Sequence, residues 1–286
     1  MKQRFILKSA VAAALGVLSG QAMATGLVTL PTAGSTAYVR CNTTGNFGSN
    51  ESTDPTPSAN NTCAVFNQNR YDPAQGLING NPPPISGYNR IAQTFRYFRL
   101  NGTTTGSQQP DSVGRVTDEV WRSGNSCIFS AKVELFALDI DPNTPGVQTF
   151  ELNDLARAGF NGGGTLKAGY TVVTRGNGAS DEVLFRGGKT YTAVPHPVGA
   201  PDLPPTSQAP FSANWVDFTT DVNAIDPDGS SPKDSSWFYV QSSCSSTQAP
   251  ITLTNALELR ETGQEGQPVI TIKIPAYART GANVNP

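Results

Sequence analysis

One histidine, four cysteines and two runs of closely spaced aspartates are the residues of this 286-residue chain whose chemistry is worth weighing first. A Ser-His-Asp or Cys-His catalyst would need His196 as its base. That residue lies between Pro195 and Pro197, which hold it in an extended connector and argue for an ordinary surface position. The chain has no G-x-S-x-G elbow, no H-E-x-x-H pair and no phosphate-binding glycine motif. Ser230-Ser231-Pro232-Lys233 matches S-x-x-K by letter, but its proline prevents the helical turn that would bring Ser230 to Lys233. Paired carboxylates are the remaining catalytic option. Glu134, Asp139, Asp141, Glu151 and Asp154 cluster in sequence, and a carbohydrate-active enzyme needs two such groups facing each other across a cleft.

Calcium is the one cofactor the sequence points to. Asp139, Asp141 and Asn143 place oxygen side chains at alternate positions, as an EF-hand loop begins. The pattern then departs, with Thr144 where the sharp-turn glycine belongs and Glu151 at the thirteenth position. A second run supplies Asp226, Asp228 and Asp234. Asp-Pro and Asp-Gly pairs are equally the ordinary chemistry of turns. Trp121, Trp215 and Trp237 are candidates for stacking on sugar rings, although each sits in a strand signal and core packing is favoured. Phe95-Arg96-Tyr97-Phe98-Arg99 interleaves basic and aromatic side chains as single-strand nucleic-acid binders do, but a half-buried strand explains it better.

The elements that must position these groups are strands. Ile91–Leu100 is a strand candidate. Arg115–Trp121 and Cys127–Leu138 flank Ser123-Gly124-Asn125 as a hairpin, with Phe129, Ala131, Val133, Leu135 and Ala137 forming the core-facing set. Leu152, Leu155 and Ala156 line one face of a helix predicted over 150–160, closed by Gly159. Further strands are expected at 36–40, 170–174, 182–185, 190–194, 215–219 and 237–241. The clearest element is the hairpin of Ala256–Glu261 and Pro268–Ile274, where Val269, Thr271 and Lys273 alternate with Ile270, Ile272 and Ile274. About ten short strands separated by turns read as an all-β antiparallel sandwich or jelly-roll-like fold with one minor helix.

Lys2, Arg4 and Lys8, a short apolar run and Ala22-Met23-Ala24 read as a leader over residues 1–24, removed on export. Residues 25–90 are loop-rich and poor in apolar side chains, and 91–286 form the core domain. The four cysteines are then expected as two disulfides, Cys41–Cys63 and Cys127–Cys244. Only 15% of residues are charged and the net charge is −2, or −5 without the three cations of the leader. That balance leaves no electrostatic footprint for nucleic acid. No second apolar run reaches spanning length, and the final Asn283-Val284-Asn285-Pro286 lacks the aromatic end common in outer-membrane barrels, so an integral membrane protein is not expected.

The sequence therefore describes an exported, disulfide-bearing β protein found in the periplasm, at the cell surface or outside the cell. It is expected to be a non-catalytic structural or interaction component, with other protein chains, its own copies or glycans as partners. A glycan-binding module or adhesin is the first alternative, and the carboxylate-pair enzyme the second.

Overall fold

The computed structural model describes residues 27–30, 38–40, 83–170, 186–191, 211–225, 233–262 and 269–286. The leader, Cys41–Cys63, His196, Ser230 to Pro232, Asp226, Asp228 and the strands expected at 171–174 and 182–185 lie outside these residues. Within them the protein is all-β. Thirteen strands run β1 Val28–Thr29, β2 Tyr38–Arg40, β3 Asn89–Phe98, β4 Thr104–Thr105, β5 Gly114–Ser123, β6 Ser126–Leu135 and β7 Glu151–Arg157. They continue as β8 Lys167–Tyr170, β9 Arg186–Gly188, β10 Val216–Asn223, β11 Phe238–Ser243, β12 Ile251–Thr262 and β13 Val269–Ala278.

Two antiparallel sheets result. One has seven strands in the order β1-β8-β11-β6-β5-β3-β4, the other six in the order β13-β12-β7-β10-β9-β2. Gly124-Asn125 joins β5 to β6, with Ser123 opposite Ser126. Gly124 takes φ 56°, the conformation that the first position of a type II′ turn requires. The alternation expected of β6 is observed as far as Leu135, with Phe129, Ala131, Val133 and Leu135 in the main core; Ala137, expected with them, lies beyond the end of the strand and is exposed. The β12–β13 hairpin pairs Leu257 with Ile274 and Thr262 with Val269, and Asn255 at φ 58° absorbs an irregularity of β12.

Both sheets contribute to that core. Phe129 of β6 meets Phe160, just after β7, edge to face at 5.7 Å, and Phe98 of β3 meets Phe150, just before β7, at 6.3 Å. Phe218 of β10 and Phe238 of β11 lie 5.3 Å apart. Such pairs are each worth about 0.5–1.5 kcal/mol beyond the area they bury. Cys127 and Cys244 form the expected disulfide, with sulfurs 2.06 Å apart, closing a separation of 117 residues.

The helix expected over 150–160 is a strand. Every residue of β7 is buried, because β12 and β10 flank it and both of its faces are covered. Apolar side chains therefore appear at both parities and mimic a helical stripe. Gly159 does not cap a helix. It takes φ 105°, and a Cβ there would also stand 2.5 Å from that of Ala278, so both the backbone and the packing call for glycine. Thr190 and Tyr191, expected in a strand, follow β9 outside it.

Candidate functional site

The ionisable side chains with the most unusual surroundings sit in three places, all on the central strands. The first is on the face of the six-stranded sheet that carries Ala156. Register sets Glu258 and Asp217 on either side of Ala156, and Arg260 beside Asp154. Arg260 Nη1 lies 2.8 Å from Asp154 and 3.7 Å from Asp217, while Nη2 donates to Glu258 at 2.6 Å. Lys273 of β13 reaches Glu258 from the other side at 2.9 Å. Asp154 and Asp217 have no exposed surface. Burial raises the Asp154 carboxyl above the usual carboxylate range, offset in part by a hydrogen bond with Asp217 and by the Arg260 charge. For Arg260, burial pulls downward but the charges of Asp154 and Asp217 outweigh it, so the guanidinium is held more firmly protonated than usual.

The second place lies between the sheets. Asp118 shares its parity with Val116 and Val120 and so points into the core, where it meets Arg157 of β7 at 2.8 Å. It also accepts from the Tyr277 N–H at 2.7 Å and has Arg96 at 3.6 Å. Arg157 Nη2 donates to the Tyr277 carbonyl as well, and its guanidinium carbon lies 5.4 Å from the centre of the Phe129 ring. A buried ion pair of this kind is costly to break from one side, because the surviving charge is stranded.

The third place is the end of the six-stranded sheet where β7 begins and β12 ends. There the Glu261 carboxylate accepts from the Glu151 N–H at 3.2 Å, Asn153 donates to Glu151, and Thr149 donates to Asn223 at 2.6 Å. Burial, together with the neighbouring Glu151, pushes Glu261 up to about 7.

Cys127 and Cys244 are brought together, whereas among the described residues the candidates for calcium, catalysis and glycan binding are held in separate places. Asp139 accepts from the backbone N–H groups of Asp141 and Gln148, and Asp141 accepts from the Asn143 N–H and the Thr144 hydroxyl. The Thr144 and Asn143 bonds hold exposed Asp141 below its ordinary value. Asn143 thus contributes a backbone donor to a turn, and Glu151 is turned inward toward Asn153 instead. Asp234 pairs with Lys132 at 3.5 Å and Lys233 at 3.8 Å. Among the described residues no group of three His, Cys, Asp or Glu is arranged to hold a metal ion.

Of the carboxylates considered for catalysis, Glu134 is tied to Arg115 at 2.6 Å and Lys233 at 2.8 Å, away from buried Asp154 and Glu151. The three tryptophans are each 3% exposed and offer no face to a sugar. Trp121 and Trp237 form a cluster with Ile128 and Tyr239 under Leu27, Ile85 and Tyr88, on the β6 face opposite the main core. Trp215 packs with Ala156 and Ala158 beneath Tyr191 and Val284. Among the described residues two phenylalanine rings are open: Phe95, 46% exposed with Arg115 lying over both it and Tyr97, and Phe211, 44% exposed with Lys189 over it.

Sequence reasoning missed Asp118, Arg157, Asp217, Glu258, Arg260 and Glu261. The available signal was charge at core parity: Asp118 between Val116 and Val120, and Glu261 two residues beyond Leu259. Comparison with protein-family models, curated proteins and solved structures finds no match to this chain.

Proposed function

We propose that the chain is an exported, non-catalytic β-sandwich, jelly-roll-like in form, that serves as a structural or interaction component of a cell-surface or extracellular assembly. The observation that carries this reading is the fate of the buried acids. Asp118 and Asp154 are sealed from solvent and neutralised by arginines, which suits a rigid scaffold and leaves them no approach to a substrate. The Cys127–Cys244 bond supports an oxidising compartment, and the low 15% share of charged residues supports close contact over long-range steering. The test is fractionation of producing cells with thiol labelling and surface cross-linking. Oxidised protein in high-mass cross-linked species outside the cytoplasm is expected. A reduced, uncross-linked protein in the cytoplasm would overturn the reading.

A glycan-binding role has one observation of its own, the exposed Phe95 flanked by Tyr97 and Arg115. A glycan array probed with the wild type and with Phe95→Ala decides it, since binding that survives loss of the ring refutes that site.

A further inference from the structure

Most described cations meet a carboxylate: Arg90 pairs with Glu119, Arg99 with Asp111, Arg115 with Glu134 and Lys132 with Asp234. Three at one end of the two sheets do not. Arg122, Lys167 and Arg279 have no carboxylate partner among the described residues, and segments 122–127, 158–167, 243–250 and 278–286 contain no Asp or Glu. Hydrogen bonds gather these segments. The Cys244 N–H donates to the Asn125 carbonyl at 2.9 Å and the Ser243 N–H to that of Gly163 at 3.0 Å. Arg279 donates to the carbonyls of Ser243 and Asn161, each at 2.6 Å, and Arg122 to that of Gln248 at 2.9 Å. Burial pulls the Arg279 guanidinium below its usual value, with no carboxylate to offset it.

Arg279 also forms part of a cleft of about 210 Å³ beside the Cys127–Cys244 bond, with Gln248 and Thr280 on its polar side and Ile91, Phe129 and Pro250 on its apolar side. That is below the roughly 300–1,000 Å³ of a small-molecule site and suits one carboxylate side chain. β6 starts at this end, and its ten residues span about 33 Å. Beyond its far end, Asp139 and Asp141 accept from backbone N–H groups and the Thr144 hydroxyl and meet no cation among the described residues. Their turn stands clear of the fold, with residues 142–147 all exposed.

Resting on the assembly reading above, we propose that the cationic end is an interaction surface whose occupant is the Asp139–Asp141 turn of a second copy, so that copies join end to end. Charge complementarity selects this occupant. Two unpaired acids on a protruding turn match three unpaired cations around a cleft of side-chain size, whereas Asp111, Glu134 and Asp234 already hold cations of their own. Val147, 49% exposed in the same turn, adds an apolar side chain to match Ile91 and Pro250 of the cleft. The length of β6 keeps a copy from reaching its own turn. Because the contact joins unlike surfaces, every pair keeps one free turn and one free end, and association continues past the dimer. Few charges hold it, so it is weak and screened by salt.

The test is sedimentation equilibrium of the oxidised full chain from about 5 to 500 µM, in about 20 mM and about 500 mM salt. At low salt the wild-type mass is expected to rise past that of two chains, and high salt should weaken association by about tenfold or more. Asp141→Lys and Arg122→Glu should each weaken it by about tenfold, and an equimolar mixture of the two should recover it, since the reversed turn then meets the reversed end. Asp141→Lys alters only an exposed turn and decides the matter alone if Arg122→Glu unfolds. A wild type that stays monomeric at low salt overturns the proposal, as does a mixture of folded variants that shows no recovery. Association indifferent to salt and to both reversals also overturns it, yet leaves the assembly reading standing, because that reading fails on compartment and thiol state.

Discussion

Replacing Glu261 by Gln removes a proton-binding group from the buried end of the six-stranded sheet while keeping an oxygen that can accept from the Glu151 N–H. The folded-state value near 7 stands about 2.5 units above the ordinary 4.5. Each unit corresponds to about 1.4 kcal/mol, so the full shift represents at most about 3.5 kcal/mol. Glu261 sits one residue from the end of β12, and solvent screening there reduces the figure to about 2 kcal/mol. The sign follows from proton binding: between pH 4.5 and 7 the folded state holds the proton more tightly than the unfolded chain does. Stability from this group is therefore complete below pH 4.5 and is lost as the pH rises through 7. Melting temperatures of wild type and Glu261→Gln, measured together from pH 4 to 8.5, should agree at the acid end. They should separate by about 4–8 °C at the alkaline end, with the variant more stable. A difference that does not change with pH would refute the reasoning.

Three further outcomes are expected. Asp118→Asn strands the Arg157 charge in the core and should cost about 3–5 kcal/mol in urea unfolding; combining Asp118→Leu with Arg157→Met should recover most of the loss, and no recovery would contradict a purely electrostatic cost. Replacing Cys127 and Cys244 by serine releases a 117-residue constraint and should lower stability by about 4–5 kcal/mol, with an unchanged denaturation midpoint as the contrary result. Asp141→Ala removes only an exposed turn acceptor, so calorimetric calcium titration should match the wild type, and a calcium response lost in the variant would show a metal site at that loop.

The β5–β6 and β12–β13 hairpins were legible because local turn chemistry and alternation agreed: Gly124 could take its positive φ, and Thr271 and Lys273 faced out while Ile272 and Ile274 faced in. β7 was illegible for the opposite reason. With both faces covered, Leu152, Leu155 and Ala156 carried no period of two, and their spacing matched a helix instead. The buried charges were hidden by distance along the chain. Asp118 meets Arg157 across 39 residues and Tyr277 across 159, so nothing near it in sequence marks it as satisfied. Glu258 and Arg260 alternate with Leu257 and Leu259 as a solvated face would, and only β7 and β10 beside them show why that face is dry. The tryptophans followed the strand signals, but they anchor covering segments on the sheets' other faces.

The order in which strands become neighbours has a bearing on biogenesis. β6 finds β11, and β7 finds β12, only after about a hundred intervening residues have been delivered. Loop-closure entropy makes such a topology slow to acquire. During that interval the Cys127 and Cys244 thiols are reachable by a thiol oxidase, whereas the finished bond has Cys127 only 3% exposed. Oxidation timed before docking would shorten the search for β11, and oxidation with a wrong cysteine would hold it off its place.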